Sequence, residues 1–235
     1  MDRKVIVYEY ASNGSLDEHL NDAHLTWITR LNICIDVATA LDFLHRGVEK
    51  QATVIHRDIK TANILLNDDW HAKLADFGLS LISAISKETD YVIDHACGTQ
   101  GYVDPLYLTS RVLTKESDIY SFGVILFEIL CGRSTFLIHK QEGVFLPSFV
   151  NHKFDEGKLG KVVFEKIKTQ IMPEALIAFY TIAYQCLNEK REERPTAKQV
   201  VQQLKMAMEL QMSGGDGASS STSDLSNSLA RLKVK

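Results

Sequence analysis

The chain has 235 residues, of which 45% are hydrophobic and 24% charged, and its formal net charge at pH 7 is −4. This composition is ordinary for a soluble globular protein, and the weak negative charge excludes a bulk basic surface that would attract nucleic acid or anionic lipid. The four cysteines are far apart and form no C-x-x-C pair, which argues against a disulfide framework or zinc site and favours reduced thiols in the cytosol.

Targeting and membrane signals are not evident in the sequence. The N-terminus lacks a basic region followed by an apolar one, so we expect no signal peptide. The longest apolar run, Ile119 to Cys131, contains Ser121 and Glu128 and is too short and too polar to span a bilayer. We therefore interpret it as a buried helix.

The first third of the chain predicts a strand followed by two helices. Val5–Tyr8 is apolar and β-branched, which indicates a short strand. Ser15, with Glu18 three residues later, has the pattern of a capping box for a short helix. Thr26 is the expected N-cap of a longer helix that ends near Gly47, because apolar residues recur between them at spacings of three and four.

The middle of the chain predicts short strands, a long irregular segment and an apolar helix. The strand-like pieces are Val54–Ile55, Ile64–Leu66 and Ala72–Leu74. Residues 80–105 are rich in Ser and Thr and have no sustained period, which is typical of a functional or mobile segment. Ser117 is expected to open the apolar helix, which ends at Gly132.

The last third predicts further helices and a tail. Residues 133–173 are expected to form one or two short helices, and Pro173 to begin a helix that reaches about Leu187. Thr196 is the predicted cap of the last helix. From Ser213 onward Ser and Gly dominate, so we predict a folded domain over 1–212 and a disordered tail over 213–235.

Two motifs carry the chemical interpretation. Residues 56–63 read HRDIKTAN, which matches the pattern H-R-D-x-K-x-x-N in full, and Asp76-Phe77-Gly78 begins thirteen positions after Asn63. Either motif alone could arise by chance, but both in this order, each behind a strand-like piece, are very specific. From Val5 to about Met212 the chain resembles a eukaryotic protein kinase domain.

The resemblance implies an α+β, protein-kinase-like fold, represented mainly by its helical C-terminal lobe with a short hinge strand and small β-pieces at the catalytic loop. It also implies phosphoryl transfer from ATP with Mg²⁺. In that reading Asp58 orients the attacking hydroxyl and accepts its proton, and Lys60 neutralises charge near the transferred phosphate. Asn63 and Asp76 would supply oxygen ligands to Mg²⁺. A lone residue of any of these types would be better explained as a solvated surface residue.

The resemblance also assigns a nucleotide-binding edge. Val7–Ala11 resembles the hinge between the two kinase lobes, whose backbone groups read the adenine edge, here at Glu9 and Ala11. Leu65 matches the residue beneath the adenine ring. Simple core packing is the alternative for these positions, and for Leu65 both roles can coexist.

Residues 98–105 resemble the end of a kinase activation segment. The resemblance places Thr99 near Asp58 and Lys60, which favours serine/threonine over tyrosine specificity. Arg57 would be the partner of a phosphate added to this segment. The candidate phosphorylation sites are Ser83, Ser86, Thr89 and Tyr91, although most hydroxyls in such a loop are merely solvated.

Two structural positions extend the match. Asp118 would accept hydrogen bonds from the catalytic-loop backbone, or act simply as a carboxylate at a helix start, or do both. Arg194 belongs to an R-P motif whose arginine in the family pairs with a Glu that follows Asp-Pro. Leu106 stands at that position here, so we expect Arg194 either to reach solvent or to find another acceptor.

The sequence around the motifs is similar to that of plant receptor-like kinases of the Pelle type. Leu25–Trp27, Gly101–Pro105 and Arg194–Thr196 carry this likeness. It implies a signalling Ser/Thr kinase that acts on protein hydroxyls, binds no nucleic acid and lies in the cytoplasm. A position at the inner face of the plasma membrane, within a membrane-anchored parent receptor, is compatible with it.

Expected small-lobe features are absent from the sequence. No G-x-G-x-x-G and no V-A-I-K lysine precede the hinge, and the glycines at 214, 215 and 217 lie in a Ser-rich tail without a preceding strand. Three interpretations stay open: a kinase, a non-catalytic kinase-like scaffold, and a fragment that is inactive alone. We predict that the 235-residue chain by itself has no appreciable kinase activity.

Overall fold

The structure is a computed structural model that describes residues 7–47, 52–84 and 91–214. Helices dominate the described residues, and short turns of 3₁₀ helix connect several of them. The helices are α1 (Trp27–Arg46), α2 (Pro105–Ser110), α3 (Lys115–Cys131), α4 (Thr135–Glu142), α5 (Leu146–Asp155), α6 (Pro173–Cys186) and α7 (Ala197–Ser213).

The strands of the described residues form three antiparallel pairs. The first pair places Val54 opposite Ile82, the second Leu65 opposite Lys73, and the third Ile93 opposite Val112. The strands are β1 (Ala52–Ile55) with β4 (Leu81–Ala84), β2 (Ile64–Leu66) with β3 (Ala72–Leu74), and β5 (Val92–Ile93) with β6 (Val112–Leu113).

The core forms around α3, which is buried from Ser117 to Cys131. A helix that is apolar on all sides requires neighbours on all sides. Here α6 packs against α3, and α7 packs against both α1 and α6. Trp27 at the start of α1 is fully buried and meets the ring of Phe179 edge-on at 5.0 Å. These packed helices support the loops that carry the two motifs.

Several predicted boundaries are confirmed, and their caps explain why. The side chain of Thr26 accepts a hydrogen bond from the Thr29 amide, and α1 ends at Gly47 with φ of 82°. Thr196 caps α7 in the same way and exchanges a reciprocal contact with Gln199. These local signals lie within one helical turn, so the sequence alone reveals them.

Other predicted boundaries are wrong. Helix α3 begins at Lys115 rather than Ser117, because Thr114 is its N-cap and Ser117 is already the third helical residue, whose hydroxyl accepts from the Thr114 amide at 3.5 Å. The short helix predicted after Ser15 is a 3₁₀ turn over Leu16–His19, and the Ser15 side chain makes no capping hydrogen bond. Strands β4, β5 and β6 were not predicted; β4 pairs with the distant strand β1, and β5 pairs with β6.

The ends of the chain bear on two further predictions. Of the predicted hinge strand, Val5 and Ile6 lie outside the described residues, while Val7 and Tyr8 belong to no strand. Helix α7 continues through Ser213, the first residue of the predicted tail, and residues 215–235 lie outside the described part of the chain.

All four cysteines are free thiols. Cys34, Cys131 and Cys186 are buried, whereas Cys97 is partly exposed. Within the ranges that the structure describes, no single helix is both long and apolar enough to cross a bilayer; α3 and α4 meet that test only jointly, across a bend of 73°.

Candidate active site

The buried carboxylate of Asp118 anchors the start of the loop of residues 56–63. Asp118, in the first turn of α3, accepts hydrogen bonds from the backbone amides of His56 (2.8 Å) and Arg57 (2.9 Å). Its Oδ2 also lies 3.0 Å from Nε2 of His45. Arg57 has φ of 73°, a conformation that non-glycine residues rarely adopt. The two amide contacts with Asp118 stabilise that turn and fix where the next residue, Asp58, lies.

Asp58, Lys60 and Thr99 form a closed triangle of polar contacts. Nζ of Lys60 lies 2.8 Å from Oδ2 of Asp58 and donates to Oγ1 of Thr99 at 3.0 Å. The Thr99 hydroxyl donates in turn to Oδ1 of Asp58 at 2.6 Å. The structure therefore brings together three site residues that the sequence predicted, although 39 residues separate Lys60 from Thr99.

The environment keeps Asp58 ionised. Burial alone would raise the pKa of its carboxyl, but hydrogen bonds from Lys60 and Thr99 outweigh burial, and the pKa lies below its ordinary value. Asn63 adds a hydrogen bond from its side-chain amide to Oδ2 at 3.2 Å and holds the Asp58 carbonyl at 2.8 Å. At neutral pH this carboxylate can accept a hydrogen bond from an incoming hydroxyl.

Asp76 lies on a neighbouring loop and follows Ala75, which contacts the loop of residues 56–63. The amide of Ala75 donates to the Asn63 carbonyl at 2.8 Å, and the Ala75 carbonyl lies 3.0 Å from Nε2 of His56. Asp76 itself has φ of 62°, and its Oδ1 accepts from the Gly78 amide at 3.3 Å. The contacts of Ala75 thus hold the start of the second motif next to the first.

Asn63 and Asp76 have the right donor chemistry for Mg²⁺. Among the hydrogen bonds of the described residues, none uses Oδ1 of Asn63 or Oδ2 of Asp76. Both atoms are hard oxygen donors, which Mg²⁺ prefers, and the ion usually takes only one or two protein ligands beside substrate phosphates and water. The residues present therefore fit a magnesium ion.

The predicted nucleotide-binding edge runs along the β2–β3 hairpin. Glu9 forms an ion pair with Lys73, whose Cα lies opposite Leu65. The Ala11 carbonyl accepts from the Gly14 amide at 3.2 Å. Residues 13–15 then follow β2, with hydrogen bonds to both backbone groups of Leu66 and a bridge from Ser15 to Leu65. The chain from Glu9 onward thus lies next to half-buried Leu65 and close to the catalytic loop.

Arg57 is engaged by a carboxylate. Its Nη2 lies 3.1 Å from Oδ2 of Asp94, and only 7% of the arginine side chain is exposed. The expected partner of Arg57 was an added phosphate, and Asp94 is not among the predicted site residues. Of the candidate phosphorylation sites, Ser86 and Thr89 lie outside the described residues, Ser83 lies in β4, and Tyr91 is exposed.

Arg194 finds its acceptor in Asp104, a residue that sequence reasoning missed. Nη1 and Nη2 of Arg194 contact the two carboxylate oxygens of Asp104 at 2.9 and 3.0 Å, and Nε of Arg191 adds a contact at 3.1 Å. Burial would raise the pKa of Asp104, but Arg194 outweighs burial and lowers it. The resembling family has its carboxylate two residues later, at the position of Leu106, whereas in this chain the Asp directly before Pro105 supplies it.

Glu128 is a second buried acid that sequence reasoning did not assign. It is fully buried on α3 and accepts from the Thr135 amide (2.6 Å), the Tyr102 hydroxyl (2.7 Å) and the Thr61 hydroxyl (3.1 Å). Burial raises its pKa to about 7, against the opposing effect of these donors. This carboxyl connects the catalytic loop to the segment that carries Thr99.

Comparisons with known proteins agree with this geometry. A family profile described as "Protein kinase domain" matches residues 1–204. The LRR receptor-like serine/threonine-protein kinase IOS1 of Arabidopsis thaliana is 37% identical over 97% of this chain and 26% of its own length. The receptor-like protein kinases FERONIA and ANXUR2 of the same plant are 37% and 40% identical over 94% and 88% of this chain, and over 25% and 24% of their own lengths. The chain thus spans about a quarter of the length of these relatives.

Proposed function

This chain belongs to the protein kinase family, and on that basis we propose that its catalytic loop transfers the γ-phosphoryl group of ATP to Ser or Thr hydroxyls of proteins. The observation that carries the proposal is the contact triangle of Asp58, Lys60 and Thr99. It brings a proposed base, Asp58, and a cation, Lys60, together with Thr99. Phosphoryl transfer depends on such positioning and charge neutralisation.

Asp58 is the proposed base. Its lowered pKa keeps the carboxylate charged, so it can orient the substrate hydroxyl and accept its proton as the oxygen attacks. Thr99 and Asn63 hold the two carboxylate oxygens and thereby set the direction from which a hydroxyl is received.

Lys60 is the proposed electrostatic partner. Its ammonium lies between Asp58 and Thr99, where a phosphoryl group in transfer to the hydroxyl would come close. A fixed cation there stabilises negative charge as it develops on the phosphoryl oxygens. Because Lys60 donates to both residues of the triangle, it also couples the catalytic loop to the segment containing Thr99.

The nucleotide side of the site uses the remaining predicted residues. Asn63 and Asp76 would hold Mg²⁺, which when bound would neutralise negative charge on the ATP phosphates. Backbone groups at Glu9 and Ala11 would read the adenine edge. Leu65, half-buried on β2, would pack beneath the adenine ring.

The proposed setting is a receptor-like signalling protein. The relatives named above are receptor-like kinases, and we place this chain in the cytoplasm, at the inner face of the plasma membrane. Its partners in this proposal are ATP and protein substrates that present Ser or Thr, with no role for nucleic acid.

A phosphotransfer assay tests the proposal. Because the chain contains no Gly-rich phosphate loop ahead of the catalytic motifs, we would assay it alone and fused at its N-terminus to the small lobe of ANXUR2. We expect the fusion to label a generic protein substrate on Ser or Thr, and Asp58→Asn to lower the rate by about 10²–10⁴-fold. We expect no appreciable labelling by the unfused chain.

The matched control is Asp68→Asn, which neutralises an exposed carboxylate in the turn between β2 and β3 and should leave the rate unchanged. A fusion that binds ATP with Mg²⁺ but transfers no phosphate would contradict the enzyme and support a scaffold. Labelling that survives Asp58→Asn would show that another residue is the base.

A further inference from the structure

The guanidinium of Arg57 contacts four residues in three separate parts of the chain. It donates to the carbonyls of Leu79 (3.2 Å) and His95 (3.0 Å) and to the hydroxyl of Tyr107 (2.7 Å). Its fourth partner, Asp94, is the one that carries a charge, at 3.1 Å. A cation that is 7% exposed depends on such a partner, because neutral acceptors alone compensate poorly for lost hydration.

Asp94 also belongs to the small sheet at the other side of this contact. It directly follows β5, and its amide donates to the carbonyl of Arg111 at 3.1 Å, which extends the pairing of β5 with β6. The adjacent carbonyl of His95 accepts from both Arg57 and Tyr107. The carboxylate of Asp94 thus connects the β5–β6 pair to the catalytic loop, and the His95 carbonyl joins Tyr107 of α2 to the same contact.

Arg57 precedes Asp58 in the loop, and the amides of its backbone turn are held by Asp118. Its side chain is therefore fixed at the guanidinium end by Asp94 and at the backbone end by α3. A phosphate on a nearby hydroxyl would order this segment by pairing with the same guanidinium. In this chain the carboxylate of Asp94 already occupies the place beside the guanidinium that such a phosphate would take.

We propose that Asp94 is a positioning residue: its carboxylate occupies Arg57 in place of a phosphate, so residues 91–113 take their ordered arrangement against the catalytic loop without phosphorylation. The catalytic consequence rests on the proposed function, whereas the structural consequence does not. Asp94 acts through Arg57 and touches no reacting atom.

Hydrogen exchange on the full 235-residue chain tests the structural consequence. After phosphatase treatment, wild type should show protected amides at Asp94 and Arg111, and Asp94→Asn should speed their exchange by about tenfold. Asp94→Glu should restore protection because the charge returns, and Asp68→Asn should match wild type. Amides of α3 serve as the internal reference, since unchanged exchange there shows that the fold is intact.

Kinetics of the small-lobe fusion test the catalytic consequence. Asp94→Asn should lower kcat for protein phosphorylation by about tenfold without changing KM for ATP, and Asp94→Glu should recover kcat. Wild-type amides that gain protection only after phosphorylation, or an Asp94→Asn chain that exchanges like wild type, would overturn the proposal. If the wild-type fusion transfers no phosphate, the proposed function fails, and the exchange experiment still decides the role of Asp94.

Discussion

Two arginines converge on the buried carboxylate of Asp104. The side chains of Asp104 and Arg194 are both fully inaccessible to solvent, whereas 15% of the Arg191 side chain is exposed. Ser117 adds a hydroxyl hydrogen bond at 3.0 Å to the same carboxylate. Removing the carboxylate would leave a buried guanidinium with only carbonyl acceptors, which is costly because neither water nor another anion can replace it.

We therefore predict that Asp104→Ala lowers the free energy of unfolding by about 3–5 kcal/mol. Urea denaturation measures the change, with Asp68→Ala as an exposed-carboxylate control that should stay within about 0.5 kcal/mol of wild type. Leu106→Glu should change stability by less than about 1 kcal/mol, because Arg194 is already paired with Asp104. A loss under about 1 kcal/mol for Asp104→Ala would show that Arg194 has another acceptor.

The sequence predicts the site residues that lie in recognised motifs and misses Asp94 and Asp104, whose arginine partners are distant in the chain. Asp58, Lys60, Asn63 and Asp76 are recognisable because the spacing within each motif is local. The acceptor role of Asp104 depends on Arg194, 90 positions away, and the role of Asp94 depends on Arg57, 37 positions before it in the chain. No local pattern records such pairs, so only the folded chain reveals them.

At the scale of elements, one glycine sets how closely α3 and α6 pack. A Cβ at Gly123, in the middle of α3, would lie 2.8 Å from Cβ of Cys186 and 2.9 Å from Cδ2 of Leu187. Glycine normally weakens a helix by about 1 kcal/mol relative to alanine. Here the close approach of the two helices offsets that weakness, because no side chain separates them.

Gly123→Ala should accordingly destabilise the protein by about 1–3 kcal/mol, although helix propensity alone predicts the opposite sign. Gly160→Ala is the matched control: a Cβ there meets nothing within 4 Å, so the substitution should be neutral or slightly stabilising. Thermal unfolding of both variants provides the comparison. A Gly123→Ala protein that is more stable than wild type would mean that α6 can move aside at little cost.

Family membership confirms the predicted kinase-like fold, and the helices show which elements a sequence can specify. Helices α1 and α7 were predicted because their caps and apolar faces are local features. Strands β4, β5 and β6 were not predicted, because their sequences carry little strand pattern of their own and they form through pairing, β4 with β1 and β5 with β6. Tertiary context decides such short strands.

At the scale of the whole molecule, Glu128 joins three regions through one carboxyl. Its donors come from the catalytic loop (Thr61), the segment after Thr99 (Tyr102) and the start of α4 (Thr135). Asp17, on the N-terminal 3₁₀ turn, adds a repulsive charge that raises the pKa further. Protonation of this group therefore affects packing across the molecule rather than at one surface.

This pKa predicts how stability depends on pH. Between pH 4.5, the ordinary pKa of a Glu carboxyl, and about 7, the folded protein retains on Glu128 a proton that the unfolded chain releases. The contribution of this proton is complete below pH 4.5 and is lost as pH rises through about 7, a fall of up to roughly 3 kcal/mol. Urea denaturation of wild type and Glu128→Gln across this range isolates the effect, since the Gln variant should show a shallower decline. Identical slopes would assign the pH dependence to other groups.

The uneven burial of the four thiols has a practical consequence. Burial raises the pKa of Cys34 and Cys186 and brings that of Cys131 to about 12, so these thiols carry little thiolate and are shielded from reagents. A maleimide dye should therefore attach first at partly exposed Cys97, three residues beyond Asp94. A dye can thus be attached at one site without any substitution, and it would report motion of residues 91–113, which contact Arg57.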